Sequence, residues 1–200
     1  MKQQVIVIHG GTTFDKHEDY ISYLKNRVVT IDDFKLWTDW KGNLQEKLGE
    51  KFEVLFPRMP NGTNARYGEW KIWFERIFPF LTDNPILIGH SLGGIFLAKY
   101  LSETNFPETI NATILVAAPF DDENLGESLA DFKLPLTLSK LMKQGGKIYL
   151  IQSKDDPVVP FKQLAKYKQV LPKAEEIILK GRGHFKQEAF PELVELIKKL

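Results

Sequence analysis

The chain predicts a three-layer α/β fold, and three observations carry the prediction. Six short β-branched runs, at 5–8, 52–56, 86–88, 113–117, 147–151 and 175–179, recur along the 200 residues. Several are continuously apolar rather than alternating, as strands covered on both faces of a mostly parallel sheet must be. Helical patterns at 43–50, 69–81, 94–103, 136–144, 161–171 and 191–200 separate them, each long enough to cross from one parallel strand to the next.

The first run ends in His9-Gly10-Gly11-Thr12, a glycine turn. Roughly thirty residues then precede the helix near Asn43, far more than an α/β connection needs, so an aromatic-rich insertion at about 12–42 with structure of its own is expected. Phe14, Tyr20, Tyr23, Phe34, Trp37 and Trp40 give it apolar surface, and 18–27 fits a short helix with Tyr20, Tyr23 and Leu24 on one side. Packing onto the body is the expected role of most of these aromatics. The helix at 94–103 carries Ile95, Phe96, Leu97, Ala98, Tyr100 and Leu101, apolar on most sides, which suits a buried helix. Residues 119–134 begin acidic at Asp121, Asp122 and Glu123, and about 119–144 is a candidate lid. In the last helix Phe190, Leu193, Val194 and Ile197 form an apolar stripe opposite Glu192, Glu195, Lys198 and Lys199, with Pro191 suited to the first turn. A single domain over 1–200 is the expectation at this length.

Composition excludes several classes of function. The net charge is +1 with no basic run, so a nucleic-acid partner is not expected. The absence of cysteine removes disulfides, thiolate metal sites and a cysteine nucleophile. No apolar stretch approaches the roughly 18 residues that span a bilayer, and the short N-terminal run lacks a signal-peptide pattern, so a cytoplasmic, membrane-free protein is expected. The triplets at Asn61 and Asn111 fit glycosylation sites but are read as turn and strand-edge chemistry. Asp121, Asp122 and Glu123 lack calcium-loop spacing and the four histidines form no zinc pattern, so no metal and no cofactor are expected. The turn after the first strand has neither the three-glycine nor the Gly-Lys-Ser/Thr spacing that would cradle phosphate.

The chemistry is concentrated at Gly89-His90-Ser91-Leu92-Gly93, between a buried strand and an apolar helix. A G-x-S-x-G pattern in that context lifts a serine hydroxyl above the sheet on a sharp turn, with glycines where side chains would collide with the neighbouring elements. Ser91 then sits at a helix N-terminus, where free amides, that of Leu92 among them, can face an oxyanion. A serine nucleophile needs a base, usually histidine, oriented by a carboxylate. His9 lies in the first turn, His17 in the insertion, and His90 should point away from the hydroxyl. His184, in the glycine loop Gly181-Arg182-Gly183-His184, is the remaining candidate. Asp155 and Asp156 compete for the acid after the fifth strand; Pro157 biases Asp156 to an extended conformation, which leaves Asp155 free to be solvated or to stabilise the turn. The order serine, acid, histidine is that of the α/β-hydrolase fold.

With Gly89-His90-Ser91-Leu92-Gly93, Asp156-Pro157-Val158-Val159-Pro160 and Gly183-His184-Phe185, the chain resembles an α/β-hydrolase, and more closely the small serine-hydrolase group typified by retinoblastoma-binding protein 9 and the bacterial YdeN proteins. The segment from Val54 to Pro60 is similar to that group's segment after its second strand. The resemblance covers nearly the whole chain and implies Ser91 as nucleophile, Asp156 rather than Asp155 as orienting acid and His184 as base. The long insertion after Gly11 departs from the pattern, so pocket shape does not transfer. If the first strand is central between the second and third, Ser91 faces the His9–Thr12 turn, and Gly11 or Thr12 supplies the second oxyanion amide. The implied activity is cleavage of a small-molecule carboxylic ester with a small or medium acyl group. The alternative is a hydrolase-shaped module that binds a partner or ligand, and an exposed apolar patch within 13–40 would favour it.

Overall fold

The computed structural model describes residues 2–36 and 38–200, so Trp37 lies outside the described residues. Six strands form one parallel sheet: β1 (Gln3–Ile8), β2 (Phe52–Leu55), β3 (Ile86–His90), β4 (Ala112–Val116), β5 (Lys147–Ser153) and β6 (Glu175–Leu179), in the order β2-β1-β3-β4-β5-β6. Strand order therefore reverses at β1, and β1 and β3 lie side by side with Val7 opposite Ile88. The glycine turns that follow these two strands meet at one end of the sheet, where a doubly wound fold opens its crevice.

Side-chain alternation divides the core in two. Ile6, Ile8, Leu87 and Leu115 point to one face, where they meet α3 (Tyr67–Glu75), α4 (Leu92–Glu103), α5 (Ser139–Gln144) and α6 (Lys162–Val170). Val5, Val7, Ile86 and Ile88 point to the other, covered by α2 (Trp40–Leu48) and α7 (Pro191–Lys198). The expected burial of α4 is borne out, with residues 92–98 all buried. The helix expected over 69–81 stops at Glu75 and resumes as a single 3-10 turn at Phe78–Phe80, because Pro79 cannot continue it.

The insertion holds α1 (His17–Asn26), close to the predicted helix, but α1 buries no residue. Phe14 stacks with Tyr20 and Tyr23 at 5.4 and 5.2 Å, so these rings pack on one another. Phe34 is 74 % exposed, so it is not among the aromatics that pack onto the body. Trp40 does not belong to the insertion: Asp39 caps α2 by accepting the Lys41 amide at 2.9 Å, the helix starts three residues before Asn43, and Trp40 enters the core. In the segment expected to form a lid, Leu125, Gly126 and Glu127 border the crevice, while Phe132, Leu138 and Leu141 are buried in the body. Among the described residues, no helix is long and apolar enough to cross a membrane.

Candidate active site

Ser91 occupies the turn from β3 to α4 at φ 54° and ψ −122°, a conformation that costs a non-glycine residue about 1–3 kcal/mol. The surrounding packing enforces it. A Cβ on Gly89 would collide with Gly93 and Gly94, and one on Gly93 would run into the carbonyls of Ile8 and His9. The Ser91 amide donates to the Val116 carbonyl at 2.8 Å, tying the turn to β4.

His184 lies between Ser91 and Asp156. Its Nε2 is 2.9 Å from Ser91 Oγ, and its Nδ1 is 2.9 and 3.1 Å from the two Asp156 oxygens. The Asp156 carboxylate is fully buried; Oδ1 accepts the Val158 and Val159 amides at 2.8 and 3.0 Å and Oδ2 the Gln152 amide at 3.3 Å. Pro157 explains that turn: with no N–H and a fixed φ, it reverses the chain so that the next two amides face the carboxylate. Asp155 points elsewhere. It accepts Ser153 Oγ at 2.5 Å and the Gly181 and Gly183 amides at 2.8 and 3.2 Å, so of the two roles left open for it, it fastens the histidine loop.

The loop is also held from above. Trp40 Nε1 donates to the Phe185 carbonyl at 3.0 Å and the Trp40 amide to the Gln187 carbonyl at 2.9 Å. Phe185 takes φ 53° with its ring 1 % exposed, stacked 5.0 Å from Phe190. Burying that ring offsets a backbone strain of about 1–3 kcal/mol. His184 is therefore 8 % exposed and fixed, not carried on the flexible turn its glycines imply.

Of the two amides considered opposite Ser91, that of Thr12 is committed to the Gly62 carbonyl at 2.9 Å, whereas among the described residues that of Gly11 meets no acceptor. This corrects the candidacy of Thr12. Leu92 is the first residue of α4, so its amide has no carbonyl to bond within the helix. Between these turns opens a cleft of about 810 Å³, bordered by Ser91, His184, Phe56, Arg58, Glu127 and Lys186.

A family model described as serine hydrolase matches residues 37–198. The chain belongs to the serine hydrolase family. It is 30 % identical over 170 residues to the serine hydrolase RBBP9 of Rattus norvegicus, covering 82 % of this chain and 86 % of the relative. Among solved structures, the ydeN gene product of B. subtilis superposes with a TM-score of 0.72 at 20 % identity, covering 99 % and 98 % of the two chains. A structure from a study of carboxylesterases of the thaumarchaeon Nitrososphaera gargenis gives 0.61 at 16 % identity, covering 99 % and 89 %. The structural matches establish the α/β-hydrolase fold expected from the motifs.

Two further histidines border the cleft of this serine hydrolase. His9 Nε2 accepts the Met59 amide at 2.8 Å, which leaves Nδ1 to donate to the Gly10 carbonyl at 2.5 Å; burial holds its pKa below the usual 6.5. His90 directs its Nε2 to the His184 carbonyl at 2.9 Å, away from the hydroxyl as expected. The loop contacts made by Trp40 and His90 went unrecognised in the sequence. Asp39 was the one available signal, as an N-cap residue just before an apolar helix. Among the described residues, no group of three or more His, Asp and Glu side chains is placed to hold a metal.

Proposed function

We propose that this serine hydrolase cleaves carboxylic esters of small or medium acyl groups, with Ser91 as nucleophile, His184 as base and Asp156 as orienting acid. One observation carries the reading: the unbroken path from Ser91 Oγ through His184 to a buried carboxylate, with 2.9 Å at each step, opening on the cleft. Ser91 Oγ attacks the ester carbonyl carbon as its proton passes to His184 Nε2. Asp156 holds Nδ1–H and stabilises the imidazolium. The oxyanion is held by the Leu92 and Gly11 amides, each contributing about 3–4 kcal/mol to the barrier reduction. His184 then protonates the departing alkoxide, leaving an acyl group on Ser91. Water, deprotonated by His184, attacks that acyl carbon, and collapse of the second oxyanion returns the proton to Ser91 and releases the acid. The neighbouring carboxylesterase structure is consistent with ester substrates, and a cytoplasmic setting with the absence of a spanning helix among the described residues.

Labelling with a fluorophosphonate probe followed by peptide mapping tests the reading. Stoichiometric adduct on Ser91, lost in His184→Ala, is expected, with Ser91→Ala abolishing turnover of an activated ester in a folded protein. Unchanged turnover in Ser91→Ala removes Ser91 as nucleophile. A second reading, in which the chain chiefly binds a partner, is favoured by Val28, Ile31, Phe34 and Leu36, which are 90 %, 71 %, 74 % and 104 % exposed. No adduct in a folded wild type would put that reading first.

A further inference from the structure

Beside His184 runs a file of buried polar groups that the steps above do not use. Asp39, Lys41 and His90 are 6 %, 8 % and 5 % exposed. Asp39 and Lys41 form an ion pair, Lys41 Nζ lies 3.5 Å from His90 Nδ1, and His90 Nε2 lies 2.9 Å from the His184 carbonyl oxygen. What each end can do fixes the protons. A carbonyl only accepts, so His90 Nε2 carries a proton; an ammonium only donates, so His90 Nδ1 is bare. A second proton on the ring would point at the Lys41 ammonium. The groups facing His90 are Lys41, with Asp39 behind it, and the edge of Trp40 from α2, and His184 and Lys186 from the loop. Burial, then Lys41, then His184 push the His90 pKa well below 6.5.

We propose that His90, held in one neutral tautomer by the Asp39–Lys41 pair, is a positioning residue that grips the main chain of His184 and so sets its imidazole between Ser91 and Asp156. The proposal rests on the reading of those three residues as the catalytic set. His90 is the last residue of β3 and leads straight into the turn that carries Ser91, so one rigid strand end places both the hydroxyl and the backbone of His184. An alignment error of 1 Å in such a site costs about 100-fold in rate.

His90→Leu removes the donor and acceptor together; kcat toward p-nitrophenyl acetate should fall about 10- to 100-fold with KM little changed. His90→Gln, whose amide can donate to the carbonyl and accept from Lys41, should restore most of that kcat. Full activity in His90→Leu, or no rescue by Gln in an equally folded protein, overturns the proposal. Should His90→Leu not fold, the double variant Asp39→Leu/Lys41→Met replaces the ion pair with apolar volume and removes the ammonium that keeps a second proton off His90 Nδ1. Its kcat should then acquire an additional ionisation on the acid side, and a wild-type kcat and pH profile would overturn the proposal. The downfield proton resonance of His184 Nδ1–H requires no turnover: it should shift or broaden in either variant and be wild-type in His90→Gln. An unaltered resonance rejects the positioning role even if Ser91 proves unreactive, whereas absence of a Ser91 adduct alone rejects only the esterase reading.

Discussion

At the scale of single residues, adjacent aspartates have been given different work. Asp156 is buried against His184, so Asp156→Asn should lower kcat by about 10³- to 10⁴-fold, as loss of the tautomer-fixing carboxylate does in such sites. Asp155→Asn should cost far less, since it weakens a loop fastening without touching the imidazole; steady-state kinetics with an activated ester would reveal a reversed order. The burdens on His9 and His90 predict a pH effect on stability. Both have folded pKa values below 6.5, so between 6.5 and those lower values the unfolded chain binds more protons. Their contribution is complete above 6.5 and declines as pH falls from there toward each folded pKa, because the unfolded chain takes up the protons that the folded one refuses. Urea melts from about pH 7 to about pH 5 should show the decline, and His9→Gln or His90→Gln should flatten it; a wild type without the slope contradicts the assignment. Ser91 and His184 were legible in the sequence because few residues could fill each part. Asp156 was separated from Asp155 only by family likeness, since the direction of a carboxylate in a turn depends on which amides face it.

At the scale of elements, the histidine loop is a joint between four pieces of chain: the end of β5, the end of β3, the start of α2 and the start of α7. Trp40→Phe keeps the ring but leaves the Phe185 carbonyl buried without its donor, which should destabilise by about 1–3 kcal/mol. Hydrogen exchange in residues 181–187 should quicken in that variant; unchanged protection would mean that the indole bond holds nothing. Strands and the buried α4 were legible because continuous apolar runs between glycine turns have few other solutions. The start of α2 was not, because its decisive contacts reach residues 185 and 187, about 145 positions away, and no local pattern records them.

On the scale of the whole molecule, the body and the arm formed by residues 17–36 differ in kind. Phe96 is wholly buried, and Phe96→Ala should cost about 3–5 kcal/mol. Val28→Ser and Phe34→Ser, at exposed positions, should each change stability by less than about 0.5 kcal/mol in denaturant melts. Larger losses would mean that the arm packs on the body. The placement of β1 between β2 and β3, with the crevice beside it, was legible because parallel strands joined by helices allow few topologies; the order of the remaining strands was not read from the sequence. The arm's path was not, since its aromatic residues are compatible with packing or exposure alike. The joint around His184 also bears on the birth of the molecule. Ser91 meets His184 across 93 positions of sequence, and the loop that carries His184 is fastened to α2 across about 145. Contacts so distant close late, because each must overcome the loop entropy of the intervening chain. A ribosome-bound chain that has released β3 and α4 thus displays the serine turn without His184 beside it, and the Ser91–His184 contact forms only as the last strand and helix dock.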